Sequence, residues 1–379
     1  MVAISSKFDS GSIEVIDASD PADIQLNLVP EPHSELEDET FMQWFHFRVS
    51  NVKGVPLTFR VLNAGDSAYP AGWDGYKTAI TYDKITWERL PDTSWDEAAG
   101  VLKFSVTPTH DTLWLSYFAP FSTERHMEMM ARSAASPAAS LTVLGESLDG
   151  RPIEELTIGG GRAQIWLVCQ QHPGEHMASW WVEGLLERLL DPADPIARKL
   201  LDQCTFHVVP RMNPDGCARG HLRTNACGAN LNREWCPSQK PDGTDYDAPT
   251  LAMSPEVYWV LKAMDASGVD CCVDAHGDEG ACSINHPRHT DASHHIVVWM
   301  ISHWLHDWDT IVFLRMCSTD SAPVVRGMCT VNVTGLPYIF FAGNRGSDLY
   351  QSFQVQQRRR TTCILWPVAL VEIGLYTCG

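Results

Sequence analysis

The chain has 379 residues, which is enough for two ordinary domains. Hydrophobic residues make up 44% and charged residues 20%, so the composition can fill sizeable cores and argues against intrinsic disorder. The formal net charge of -19 argues against nucleic-acid and anionic-membrane partners, because phosphate contacts need clustered cations.

The N-terminal segment MVAISSKFDSGS lacks the charged and then apolar pattern of a secretion signal. The longest apolar run, around residues 295–305, is about half the length of a membrane helix. The 12 cysteines are scattered, so we interpret them as reduced and mostly buried thiols. The sequence therefore predicts a soluble protein of the cytoplasm.

Short runs of alternating apolar and polar residues follow an acidic, weakly patterned segment that ends near residue 40. They are FHFRV (45–49), LTFRV (57–61), VLKFSV (101–106) and DTLWLSYF (111–118). Such alternation is typical of an antiparallel β-sandwich with one solvated face. We assign the sandwich to residues 1–132, since the small, proline-broken stretch 133–140 is the best candidate for a linker.

The pattern changes in the second predicted domain, residues 141–379. Three nearly continuous apolar runs indicate strands that are buried on both faces. They alternate with apolar positions at helical spacing in 177–189 and with a helix predicted after Ser254. This alternation favours an α/β domain with a largely parallel sheet. The three runs are AQIWLVCQQ (163–171), CTFHVVP (204–210) and GVDCCVDAH (268–276).

Two histidines and a glutamate stand where the predicted strands end. His172 and Glu175 are three residues apart after the first strand, and His276 follows the third. This set suits a catalytic zinc ion, which keeps a fourth position for water. A lone H-x-x-E is common by chance, and His176 is a competing ligand. The helix that follows and the distant histidine favour the metal site, because ligands gather beyond the carboxyl ends of parallel strands.

Four arginines lie in the Asn- and Gly-rich segment 211–235, namely Arg211, Arg219, Arg223 and Arg233. Guanidinium groups bind carboxylates in bidentate fashion and stabilise developing oxyanions. Any one of them taken alone is more simply explained as a solvated surface residue. Together with the zinc ligands, the four indicate a hydrolase that acts beside a free carboxylate.

The ordered fragments HPGEH, NPDG, RTN, GANLNREW and DAHGDEG resemble the zinc metallocarboxypeptidases, in particular their cytosolic branch. The segments WFHFRVSNVKG and LGESLDGRPIEEL are similar to that branch's sandwich and to the entry of its catalytic domain. The resemblance implies one zinc ion held by His172, Glu175 and His276. It also implies that Arg223 stabilises the oxyanion, and that Asn232 and Arg233 grip the substrate's terminal carboxylate. Substrates would be C-terminal tails, such as those of polyglutamylated tubulin, with a basic pocket for glutamate.

Two parts of the chain depart from that family. GLPYIFFAGNRG, at 335–346, would be expected directly after DAHGDEG, so residues 281–334 are interpreted as a foreign insertion, with a long lid loop as the rival. The tail is shorter than the family's, which predicts an incomplete or divergent C-terminal part. Glu372, in LVEIG, is the candidate general base, although its flanks do not match the family motif.

Two other functions remain open from the residues. An aspartoacylase or desuccinylase type of zinc amidohydrolase would share the H-x-x-E and distant histidine pattern. A defective chain could instead bind acidic tails without turning them over. The fold expected in each case is α/β: an antiparallel sandwich followed by a carboxypeptidase-type mixed sheet flanked by helices.

Overall fold

A computed structural model describes residues 2–33, 40–235 and 248–278, together with the backbone of five short strands between 294 and 376. The chain forms a β-sandwich followed by an α/β domain, which confirms the predicted fold class. Most of the predicted insertion 281–334, the motif at 335–346 and the tail lie outside the described residues.

The sandwich consists of two five-stranded sheets. The first sheet contains, in spatial order, β1 (Ala3–Ser5), β4 (His46–Ser50), β10 (Thr112–Ser116), β6 (Ala79–Thr81) and β7 (Glu88–Arg89). The second contains β2 (Glu14–Asp17), β3 (Ile24–Asn27), β5 (Leu57–Val61), β9 (Val101–Val106) and β8 (Thr93–Asp96). Neighbouring strands are antiparallel except β3 and β5, which run parallel.

Aromatic rings from both sheets fill the space between them. Phe45 and Phe47 enter from the first sheet, while Phe59 and Phe104 enter from the second, and all four are fully buried. The Phe59 and Phe104 rings stack with centroids 5.2 Å apart, and Phe45 stacks on Phe104 at 6.1 Å. The period-two pattern thus places one face of each strand in a common apolar core.

The second domain is built on an eight-stranded sheet. Its strands are, in spatial order, β11 (Ala139–Glu146), β12 (Pro152–Gly159), β14 (Cys204–Val209), β13 (Ala163–Cys169), β15 (Cys271–Asp278), β16 (His294–Ile301), β17 (Ile311–Ser318) and β20 (Glu372–Tyr376). A separate pair is formed by β18 (Met328–Cys329) and β19 (Phe340–Phe341). The described helices are α1 (Thr123–Ala134), α2 (His176–Leu189), α3 (Pro195–Gln203), α4 (Pro214–Arg219) and α5 (Pro255–Ser267).

The three apolar runs predicted from the sequence form the parallel centre of this sheet, because β13 pairs in parallel with both β14 and β15. Helix α2 covers one face, and its Trp181, Leu185 and Leu189 are buried as their spacing predicts. The carboxyl ends of β13 and β15 therefore lie side by side at one edge of the sheet.

The expected linker at 133–140 is short and partly structured. Helix α1 continues to Ala134 and β11 begins at Ala139, so residues 135–138 alone separate the two elements. Ser122 caps the helix by accepting a hydrogen bond from the Arg125 amide, at 3.1 Å. Because α1 contacts α2, α4 and β11, the junction between the domains is packed and not a free tether.

Close backbone contacts join the two domains. The Ser10 amide donates to the Ala218 carbonyl at 2.9 Å, and the Asp9 carboxylate accepts from the amide and the hydroxyl of Thr123. Gly220 has a φ of +74°, and a Cβ there would lie 2.7 Å from the Ser10 carbonyl oxygen. Only glycine allows this approach without strain.

Within the described residues, every helix is too short or too polar to cross a lipid bilayer. The six described cysteines are free thiols, three of them buried.

We predict that Phe59→Ala lowers the free energy of unfolding by about 3–5 kcal/mol, because it opens a cavity between stacked rings. Ile85→Ala is the matched control, since Ile85 is 70% exposed and its truncation removes little buried surface. Urea unfolding followed by circular dichroism measures both variants. Equal shifts in the two midpoints would contradict the packing described here.

Candidate active site

A tight turn after β13 delivers the first two candidate ligands. Gln170 ends the strand with a φ of 55°, a left-handed conformation that turns the chain sharply. Its buried amide donates to the Pro173 carbonyl at 3.1 Å and accepts from the Ser179 hydroxyl at 2.6 Å. These bonds tie the turn to α2 and fix His172 and Glu175 just before the helix begins.

The carboxylate of Glu175 lies between the two histidines. His172 Nδ1 is 2.8 Å from Glu175 Oε1, and His276 Nδ1 is 2.8 Å from Glu175 Oε2. The Gly277 amide also donates to Oε2, at 2.9 Å. One potential ligand atom from each of the three residues lies within 4.8 Å of the others, and all three side chains are buried. The structure thus brings together the ligand set expected from the sequence.

The side chains of this cluster shift one another's pKa values. Burial opposes ionisation of Glu175, but attraction and hydrogen bonds from His172 and His276 outweigh it and hold its pKa well below the ordinary value. Burial would also lower the pKa of His276, yet the carboxylates of Asp274 and Glu175 raise it to about 10. Burial keeps the pKa of His172 below its usual range.

A second layer of side chains, which the sequence analysis missed, orients His276. Asp274 Oδ2 lies 2.7 Å from His276 Nε2, and the Gln171 amide donates to the same oxygen at 2.6 Å. Gln171 in turn accepts from the Trp235 indole N–H at 2.6 Å. Carboxylates commonly fix metal-binding histidines in this way. Their two-residue spacing places Asp274 and His276 on one face of β15, which was the available signal.

The donor set fits a zinc ion. Two imidazoles and one carboxylate form a common catalytic zinc site. Two buried carboxylates also need positive charge nearby, and Asp274 Oδ1 has no hydrogen-bond partner among the described residues. A cation at the cluster would supply that positive charge. His176 lies elsewhere, because its Nδ1 accepts from the Phe121 amide at 3.1 Å and its ring packs 4.6 Å from Trp44.

The segment 211–235, which we call the arginine loop, separates its four guanidinium groups. Arg211 is buried and donates to the carbonyl of Phe121 at 2.6 Å and to Gln170 Oε1 at 3.1 Å. Arg219 forms a partly exposed ion pair with Asp149 at 2.7 Å. Both groups are therefore engaged in structural contacts within the described residues.

Arg223 reaches the metal cluster through Asn230. The Asn230 side-chain amide lies 3.2 Å from His172 Nε2. With its oxygen turned towards Arg223, it accepts from Arg223 Nε at 3.0 Å. Arg223 is half-buried, so part of its side chain stays accessible to solvent.

Asn232 and Arg233 lie in a short helical turn, and Asn232 is close to the second histidine of the cluster. Asn232 Nδ2 is 3.3 Å from His276 Nε2. Arg233 Nη1 donates to the Asn232 carbonyl at 3.1 Å, and both side chains are half-buried. The structure thus links Arg223 to His172 through Asn230 and brings Asn232 next to His276, and Arg233 is the next residue in the same turn.

Asn225 holds the middle of the arginine loop. Its amide donates to the Met253 carbonyl at 2.8 Å and to Glu256 Oε2 at 3.3 Å, while its oxygen accepts from the Ala229 amide at 3.0 Å. Glu256, at the start of α5, is fully buried, and its Oε1 has no hydrogen-bond partner among the described residues. Burial raises the pKa of Glu256 to about 7.

Glu372, the sequence candidate for the general base, begins β20, and its side chain lies outside the described part of the structure. Its role therefore stays a prediction.

Two family models match the chain in succession. The cytosolic carboxypeptidase N-terminal domain matches residues 4–118, and the zinc carboxypeptidase domain matches residues 124–301. The first match covers the sandwich. The second covers the metal cluster and the arginine loop.

Individual relatives agree with these matches. A metallo-carboxypeptidase from Burkholderia cenocepacia superposes with a TM-score of 0.68 at 40% identity, covering 74% of this chain and 71% of that one. An uncharacterized protein of Zymomonas mobilis is 45% identical, covering 73% of this chain and 67% of the relative. Mouse cytosolic carboxypeptidase 4 is 28% identical over 62% of this chain, which spans only 24% of that longer protein.

We predict that Glu256→Gln stabilises the protein at pH 8 and has less effect at pH 5. The folded pKa is raised from 4.5 to about 7, so ionisation destabilises the folded state increasingly between these values. Above pH 7 the free energy of unfolding of the variant should exceed that of wild type by up to about 3 kcal/mol. Thermal unfolding from pH 5 to 8 measures it, with the exposed Glu97→Gln as control. A gain that is independent of pH would contradict this explanation.

Proposed function

Because the chain belongs to the zinc carboxypeptidase family and carries the cytosolic carboxypeptidase N-terminal domain, we propose that it removes residues from the C-termini of peptides or proteins. The observation that carries this proposal is the buried cluster of His172, Glu175 and His276, with Arg223 linked to it through Asn230 and with Asn232 beside His276. This arrangement pairs a metal site with groups that recognise carboxylate.

His172, Glu175 and His276 would hold one zinc ion. When bound there, zinc lowers the pKa of a coordinated water towards about 7 and so supplies a nucleophile at neutral pH. The chain's own part is to fix the donors: Glu175 is held by the Gly277 amide, and His276 is held by Asp274. Fixed donors avoid the cost of reorganisation during the reaction.

The arginine loop would bind the substrate at two points, its terminal carboxylate and the carbonyl of the peptide bond that is cleaved. We assign Asn232 and Arg233 to the terminal carboxylate, because an amide and a guanidinium donate to a carboxylate in directed pairs. We assign Arg223 to the oxygen of the scissile carbonyl, which becomes negatively charged during hydrolysis. Half-burial strengthens both interactions, since fewer water molecules compete with the substrate.

We propose acidic tails as substrates, with terminal glutamates and polyglutamylated tubulin as the first examples to test, and the cytoplasm as the compartment. These finer assignments rest on the family resemblance and on the names of the cytosolic relatives. Since Arg211 and Arg219 are engaged elsewhere, a glutamate side chain would have to be recognised by other groups. The matches to carboxypeptidase domains favour this function over an N-acyl amino acid hydrolase.

We predict about one zinc ion per wild-type chain and release of the last residue from peptides that end in glutamate. His276→Ala removes one of three ligands, so we expect zinc affinity to fall at least about tenfold and activity to disappear. Elemental analysis after dialysis measures zinc, and mass spectrometry measures the shortened peptide.

His110→Ala is the matched control, because His110 is an exposed histidine of the sandwich. It should keep zinc content and activity. A zinc-loaded wild-type chain that leaves every peptide intact would instead support the alternative of a binding module for acidic tails. Cleavage of N-acyl amino acids with intact peptides would support the amidohydrolase.

We predict that Arg233→Ala raises KM for a free-acid peptide by about 10- to 100-fold, because a charge-assisted hydrogen-bond pair is lost. Wild type should discriminate strongly against the same peptide with an amidated C-terminus, and the variant should discriminate weakly. Arg219→Ala, in the same loop, is the control, since Arg219 pairs with Asp149 at the surface. Unchanged discrimination in Arg233→Ala would remove Arg233 from the binding site.

A further inference from the structure

A buried carboxylate of the sandwich domain holds the arginine loop from outside the catalytic domain. Glu31 follows β3 and is 6% exposed. Its side chain accepts hydrogen bonds from three consecutive backbone amides, those of Leu222, Arg223 (2.7 Å) and Thr224 (2.9 Å), and from the Thr224 hydroxyl at 2.5 Å. Successive amides that converge on one carboxylate form an anion-binding nest. The nest fixes the backbone on both sides of Arg223.

The sandwich also contacts the guanidinium of Arg223. Arg223 Nη1 donates to the Tyr69 hydroxyl at 3.0 Å, and the guanidinium carbon lies 5.4 Å from the centre of the Phe41 ring. The Glu31 amide donates to the Phe41 carbonyl at 2.9 Å, which joins these two contacts. Residues of the sandwich thus hold both the backbone and the guanidinium of Arg223, which belongs to the second domain.

The neighbouring segment strengthens the same contact. Gly228 has a φ of +91°, and a Cβ there would lie 2.2 Å from the His33 carbonyl oxygen. The chain just after Glu31 therefore presses directly against the arginine loop, and only glycine permits that approach. A small shift of the sandwich would move the loop with it.

We propose that the sandwich domain completes the active site, with Glu31 and Tyr69 as positioning residues for Arg223. The inference rests on the proposed function, because it concerns how the oxyanion-stabilising group is held. Stabilisation of a developing charge depends on donors that are already in place, and a displacement of about 1 Å can cost about 100-fold in rate. The nest fixes the Arg223 backbone, and Tyr69 and Asn230 fix the direction of its guanidinium.

A second carboxylate at the domain junction serves as the matched control. Asp9 accepts from the Thr123 amide at 2.9 Å and from the Thr123 hydroxyl at 2.7 Å. It ties the sandwich to α1, which packs against the second domain, with similar chemistry but away from the arginine loop. Asp9→Asn should weaken the junction without moving Arg223.

The kinetic test compares Glu31→Gln, Tyr69→Phe and Asp9→Asn with wild type on a cleavable peptide. We expect kcat to fall about 10- to 100-fold in Glu31→Gln and about 3- to 10-fold in Tyr69→Phe, with KM within about twofold and zinc content unchanged. Asp9→Asn should keep kcat within about twofold. In an Arg223→Ala background, Glu31→Gln should cause no further loss, since both act through one group.

Hydrogen exchange measured by mass spectrometry tests the same contact without any need for activity. Glu31→Gln should speed exchange of the amides at 222–224, whereas Asp9→Asn should leave them protected. Protection that survives in Glu31→Gln would overturn the inference. So would an unchanged kcat, or equal losses of kcat in Glu31→Gln and Asp9→Asn. An inactive wild type would refute the proposed function, while the exchange data would still decide whether Glu31 holds the loop.

Discussion

The carboxylate of Glu175, held between His172 and His276, is the contact on which the rest of the site depends. His172 follows β13 and His276 lies within β15, so they meet only if these strands are parallel neighbours in register. The left-handed residue Gln170 is needed as well, because the chain must turn before α2 can begin. The three side chains of the cluster therefore come together only because the strands are correctly ordered and the chain turns sharply at Gln170.

Much of this arrangement could be predicted from the chain alone. The three central strands are apolar runs because both of their faces are covered, and the ligands stand near the carboxyl ends of two of them. The supporting groups could not be predicted in this way. Gln171 meets Asp274 across 103 residues, and Glu31 meets Leu222 across 191. A lone buried glutamate in a loop leaves no periodic signal in the sequence, so its partner becomes visible only when the domains are packed together.

The roles of the four arginines also could not be predicted from the sequence alone. The sequence presents four equivalent cations in one segment, and each is a reasonable candidate for carboxylate binding. The fold divides them by their surroundings: Arg211 is surrounded by carbonyls, Arg219 finds an aspartate at the surface, and Arg223 reaches the metal cluster through Asn230. Residue type gives the possible chemistry, but the neighbours that a side chain meets decide which part of that chemistry it performs.

Arg211 also has a consequence for how a substrate enters. Its buried guanidinium ties the turn at Gln170 to the Phe121 carbonyl at the domain junction. Moving the domains apart would break these hydrogen bonds of a charged donor, which carries an energetic cost. Hinge opening, a common way to admit large substrates, is thereby disfavoured. If the chain acts on C-terminal residues as proposed, a target would have to bring its end to a site that is already formed, so the accessibility of those last residues would matter more than the shape of the target's surface.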